Sequence, residues 1–129
     1  GDVYGKAASL NFAGGMLDVL GDWQGAMESF SRALAEYRRV DAPRPQARVL
    51  NNMAKVEAVL GNFQAAIEQY TEAAALLTRE PDSALRASIL HNLAVLYGAQ
   101  GDYETARWPL PPTKRAGKTR TFRKPLRVP

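Results

Sequence analysis

An all-α fold of repeated helical hairpins is what this sequence predicts, and three observations predict it. The turn-like stretches at Leu20 to Trp23, Leu60 to Phe63 and Gln100 to Tyr103 are variants of one another and recur every 40 residues. Apolar residues repeat at spacings of three and four on both sides of each turn, which is the pattern of amphipathic helices. Proline-containing breaks from Asp41 to Pro45 and from Glu80 to Ser83 separate one unit from the next. A repeat of this length cannot bury its own apolar face, so the units must stack, and stacking leaves an extended surface suited to holding another chain. The predicted architecture is an α-α superhelix of about two and a half hairpins, followed by an irregular basic C-terminal tail.

The elements follow in order. The first unit, about residues 5–40, carries Leu10, Ala13, Gly14 and Leu17 before Gly21, then Trp23, Ala26, Phe30 and Ala33 after it. The second, about 46–79, repeats this with Leu50, Met53 and Ala54, then Phe63, Ala66, Tyr70 and Ala73. The third, about 84–106, has Leu90, Leu93, Ala94 and Tyr97, then Tyr103 and Ala106. Helices are expected at roughly 5–20, 23–40, 46–60, 63–79 and 84–100. Gly21, Gly61 and Gly101 would each end a first helix, because glycine adopts the left-handed C-terminal conformation without strain. Asp22, Asn62 and Asp102 follow at once and are placed to accept a bond from an orphan N–H of the next helix. Small residues mark close helix crossings, with aromatic rings filling the space beside them. Glu57 stands where Leu17 and Tyr97 stand in the other units, and needs a hydrogen-bond donor there.

Composition divides the chain in two. Overall charge is +4, but residues 1–106 hold nine Lys or Arg against thirteen Asp or Glu, whereas residues 107–129 hold eight basic residues and no acid. A mildly acidic repeat array, 1–106, is therefore followed by a strongly basic tail. The absence of cysteine rules out disulfides, thiolate metal sites and cysteine nucleophiles, and is compatible with the reducing cytoplasm, the expected location. No apolar run reaches the roughly 18 residues of a membrane span. The N-terminus has neither a basic segment followed by an apolar core nor an initiator Met, so no signal peptide is expected and an origin in a longer chain is.

With those residues laid out, the repeat resembles the tetratricopeptide repeat over residues 5–106. The period here is 40 residues rather than the roughly 34 usual for that repeat, the extra length falling in each second helix and linker. Long units containing Leu50 to Ala54 and Leu90 to Tyr97 are most similar to the kinesin-light-chain-like branch, and repeats of that length also occur in bacterial regulators. The resemblance implies that the first helices line the concave face. The stripe turned from the core then runs Ala8, Phe12, Gly15, Val19 in the first unit, Arg48, Asn52, Lys55, Val59 in the second, and Ser88, Asn92, Val95, Ala99 in the third. Asn11, Asn51 and His91 lie beside it. Asn52 and Asn92 are equivalent, and a carboxamide both donates and accepts, so it can pair with a peptide backbone whatever the side chains. The resemblance implies a groove for a peptide or protein segment. Asn52 and Asn92 would clamp its backbone, Arg48 and Lys55 would favour an acidic partner, and Phe12 would offer an apolar contact. The same asparagines could instead bridge neighbouring helices with no ligand. The clamp that grips a free carboxy terminus with several Lys and Arg is not reproduced; only Asn52 fits it. The implied role is an interaction part of a larger, regulatory protein, with a purely structural, self-assembling array as an alternative.

No residue set proposes an enzyme, and no cofactor or metal is expected. His91 is the only histidine, has no acid-base partner at helical spacing and has no second His or Cys with which to hold a transition metal. Gly117 to Thr119 resembles the end of a phosphate loop, but the leading position is Pro112 and no strand precedes it. Gly14 and Gly15 read as helix packing, and Glu28, Glu36, Glu68 and Glu72 as a solvated outer face. The tail, 107–129, has no helical period; its basic residues with Phe122 between them could contact nucleic-acid phosphates, or it is an extension without a fold. Pro109, Pro111 and Pro112 end the third unit's second helix after little more than a turn. That hairpin leaves Leu90, Leu93 and Tyr97 partly uncovered, so Trp108 and Leu110 are expected to fold back over this edge, or another copy of the chain to pair there.

Overall fold

The computed structural model describes residues 2–107, and in them every regular element is a helix. These are α1 (Val3–Val19), α2 (Trp23–Arg39), α3 (Pro43–Val59), α4 (Phe63–Leu76) and α5 (Ser83–Arg107). Gly1–Leu96 form one compact unit, and the chain from Tyr97 onward a second, of which the described part is the last stretch of α5. The tail and the residues named as covers for the third unit, Trp108 and Leu110, lie outside the described residues.

Local chemistry explains the two hairpin turns. Gly21 and Gly61 sit at φ +83° and +84°, with open space where a side chain would be. At each, two crossed backbone bonds satisfy the helix end: Gly21 N–H donates to Asp18 and Asp22 N–H to Leu17, then Gly61 to Ala58 and Asn62 to Glu57. The end of α2 uses the same motif with an aspartate, Asp41 at φ +48°, whose N–H donates to Arg38 while Ala42 N–H donates to Tyr37. Asp22 caps α2 as expected, accepting from Gly25 N–H at 2.9 Å. Asn62 does not cap α4; its amide donates to Glu57 at 2.8 Å instead, supplying the donor that this carboxylate needs. Asp2 and Asp82 cap α1 and α5 through Gly5 and Leu85 N–H, each at 3.0 Å.

Packing within the unit formed by residues 1–96 follows the small-and-aromatic pattern. α1 packs on α2, α3 on α4, and α3 also on α2. Phe30, 1% exposed, lies so close to Gly14 that an added Cβ there would meet its ring at 2.5 Å. Ala7, Ala26, Ala33, Ala47, Ala54, Ala66 and Ala73 are fully buried, and Leu50, Val49, Val56, Tyr70 and Ile89 complete the core with them. Burial of Tyr70 pushes its phenol up to about 12. Met16, Val56 and Leu96 are equivalent residues; the last two are buried and Met16 is exposed, because no described element precedes α1.

The third turn is a correction. Gly101 does not end a helix and Asp102 does not begin one, since α5 runs unbroken from Ser83 to Arg107. In the first two units the turn brings back second helices of 17 and 14 residues, which bury a full face. Here only seven residues separate Gly101 from Pro109. So short a return buries too little to offset the ordering of a turn, whereas continuing the helix gains a backbone hydrogen bond at each residue.

Candidate functional site

The residues that the sequence singled out lie on the first helices, α1, α3 and α5, and the structure links four of them in pairs. Asn52 Nδ2 donates to Asn11 Oδ1 at 3.0 Å, and Asn92 Nδ2 donates to Asn51 Oδ1 at 3.1 Å. Both bonds run from one first helix to the preceding one, and in both the donor stands 41 residues beyond the acceptor. With a 40-residue repeat the same stagger therefore recurs at each step, and Asn52 and Asn92 occupy the same side of the row. The asparagines do bridge neighbouring helices. Each bridge uses one amide hydrogen of Asn52 and of Asn92; no hydrogen bond to the Oδ1 of either is found among the described residues.

Burial separates the roles further. Asn51 is buried at 5% exposure, so its carboxamide belongs to the interior, whereas Asn11, Asn52 and Asn92 are half-buried at the rim. Phe12 and His91 occupy the two ends of the ladder, at the donor and acceptor positions that lack a neighbouring first helix among the described residues. Both are exposed, Phe12 to 71%. The remaining stripe residues, Ala8, Val19, Arg48, Lys55, Val59, Ser88, Val95 and Ala99, are all exposed, with Gly15 intermediate. Apolar side chains, led by Val19 at 80% and Val59 at 62%, thus flank a line of amides.

The two expected cations differ. Lys55 makes no ion pair among the described residues. Arg48 approaches Asp82 at 3.5 Å, and belongs to a cluster that ties the α2–α3 turn to the α4–α5 turn. Arg44 contacts Glu80 at 3.4 Å and Asp82 at 4.0 Å, and Arg79 forks onto both oxygens of Asp41 at 2.9 and 3.1 Å. The Arg79 guanidinium holds the Asp41 carboxyl below its usual range. Glu80 also accepts from Arg44 N–H at 3.1 Å, supplying the N-terminal cap that Ala42 cannot. A depression lined by Tyr4, Asp41, Arg44, Arg48 and Arg79 opens here, but its three arginines face three carboxylates of the same chain, so it carries no excess charge. Sequence reading missed this cluster, because its members lie 34 to 38 residues apart (as Arg48 and Asp82, or Asp41 and Arg79) and join the start of α3 to loop residues with no shared period.

Among the described residues no group of His, Asp and Glu could hold a metal ion, and no helix is long and apolar enough to cross a membrane. Of the acids expected on an outer face, Glu36 pairs with Lys6 at 3.4 Å and Arg39 at 2.8 Å, and Glu72 with Arg38 at 2.8 Å. Compared with known proteins, residues 45–107 match a family model described as tetratricopeptide repeat. No curated protein matches the chain.

Proposed function

We propose that the chain, whose residues 45–107 match the tetratricopeptide-repeat family model, holds an extended peptide segment against α1, α3 and α5, since repeats of that superfamily generally mediate protein–protein interaction and are typically non-catalytic. The observation that carries this reading is the half-used amide row. Asn52 and Asn92 are each fixed by one bond to the preceding helix, which sets their rotamers in advance, and each keeps an acceptor and a second donor hydrogen for a ligand backbone. A ligand strand crossing the row would meet Phe12 and Val19 at one side and Val95 at the other. Lys55 would favour an acidic residue near the middle, and Arg48 would join it by exchanging Asp82 for the ligand's carboxylate.

Selection from a displayed random-peptide library, followed by calorimetry on the selected peptide, tests this. Each lost amide contact costs about 1 kcal/mol, so Asn52→Ala/Asn92→Ala is expected to weaken binding roughly tenfold or more. Equal affinity of the two proteins would remove both asparagines from recognition.

A further inference from the structure

A second surface, on another side of α5, follows from comparing the three first helices. Three of the contacts by which α2 covers α1 mark the face it occupies. The rings of Tyr4 and Tyr37 lie 6.2 Å apart, Lys6 pairs with Glu36 at 3.4 Å, and Phe30 lies against Gly14. On α5, two repeats later, those three positions are Ala84, Arg86 and Ala94, and all three are exposed. Between them Ala87 and Leu90 are exposed too, although their counterparts Ala7, Ala47 and Leu50 are buried; Leu50 is 2% exposed and Leu90 47%. This face has been built twice elsewhere in the same chain, and each time a second helix packs against that first helix. Among the described residues no such helix follows α5, because the chain continues as α5 through Gly101 and Asp102.

We propose that the face of Ala84, Arg86, Ala87, Leu90 and Ala94 docks one amphipathic helix of a partner protein, in the place that α2 takes on α1. The two helices already filling that place define what fits. Each has aromatic residues seven apart, Trp23 and Phe30 or Phe63 and Tyr70, with alanines three residues after each, Ala26 and Ala33 or Ala66 and Ala73. Alanine beneath a ring is accepted, since Ala54 and Tyr70 hold the positions of Gly14 and Phe30 in the second unit and both are buried. Charge adds direction. Arg86 makes no ion pair among the described residues, and its counterpart Lys6 is met by Glu36, so the partner helix carries an acid six residues after its second aromatic. This face is separate from the amide row, so the inference does not rest on the peptide reading.

The test uses the full chain and a labelled peptide of residues 22–40, the sequence of α2, with binding read by fluorescence anisotropy. Saturable binding is expected, weakened about fivefold by Arg86→Glu and recovered when the peptide carries Glu36→Arg. Ala94→Arg, which sets a long charged side chain where the ring belongs, is expected to weaken it by at least about tenfold. Both positions are exposed, so unchanged thermal melting identifies folded variants. Absence of saturable binding, or binding indifferent to both substitutions, would overturn the proposal. So would concentration-dependent sedimentation of the chain alone that Ala94→Arg abolishes, because the face would then belong to a second copy.

Discussion

Gly14 and Gly15 are neighbours in α1, yet alanine at the two positions is expected to act in opposite directions. A Cβ on Gly14 would meet two ring carbons of Phe30 at 2.5 and 2.6 Å, whereas one on Gly15 would meet nothing within 4 Å. Both substitutions gain the helix preference of alanine over glycine, about 1 kcal/mol. That gain is common to both, so the difference between the variants isolates the contact with the ring. Phe30 is buried and cannot swing into water, and overpacking a well-filled core costs about 1–3 kcal/mol. The second unit tolerates Ala54 opposite Tyr70 in a similar setting, which places the cost in the lower half of that range. Gly15→Ala is therefore expected to stabilise by up to about 1 kcal/mol, and Gly14→Ala to be neutral or to destabilise by about 1 kcal/mol. In urea, with a slope of about 1–3 kcal/mol per molar, the two midpoints should separate by roughly 0.5–1 M. Adding Phe30→Leu to Gly14→Ala should cost less than the two changes summed, because the shorter side chain releases the clash. Coincident midpoints for Gly14→Ala and Gly15→Ala would refute the seating of Phe30 on Gly14, and with it the close approach of α1 and α2.

Asn51→Ala should destabilise the chain by about 1–2 kcal/mol in the same urea assay, because it empties a buried carboxamide site and breaks the bond to Asn92; Asn52→Ala should cost less, since that side chain is only half-buried at the rim. Tyr70 stays protonated in the folded chain up to about pH 12, above its ordinary value near 10. The stability from its neutral form is full below about pH 10 and is lost as pH rises through 12, so Tyr70→Phe should shift alkaline unfolding, followed by circular dichroism, to higher pH. Asp41 has the opposite sign: its carboxyl is held low by Arg79, so the pair's contribution is present above the ordinary aspartate range and fades as pH falls through the lowered value. Asp41→Asn should remove that part of the acid transition, and salt should reduce it too, as the pair is exposed.

Much of the fold was legible because it repeats. The glycines at 21 and 61 announce two hairpins, and the spacing of three and four alone places Ala26, Phe30, Ala54 and Tyr70 in the core. Gly101 misled because a turn glycine is only permissive; what makes the turn form is a returning helix long enough to bury a face, and the prolines from 109 onward remove it. Asp41 went unread as a left-handed turn because aspartate adopts that conformation less often than glycine does. The exposed stripe could be read from one helix at a time. The pairing of Asn11 with Asn52 and of Asn51 with Asn92 could not, because an offset of 41 in a repeat of 40 depends on the stagger between helices. The contact of Arg48 with Asp82 was equally hidden, since it joins a helix to a loop outside the period.

The central claim is that the amide row is where a ligand backbone sits, and its most direct test is the nitrogen–proton spectrum of the asparagine side chains while a library-selected peptide is added. The account predicts that the side-chain amides of Asn52 and Asn92 and the backbone amide of Lys55 shift together, saturating at one affinity, while Glu28 on α2 and Glu68 on α4 stay still. Shifts confined to α2 and α4, with Asn52 and Asn92 unmoved, would contradict it.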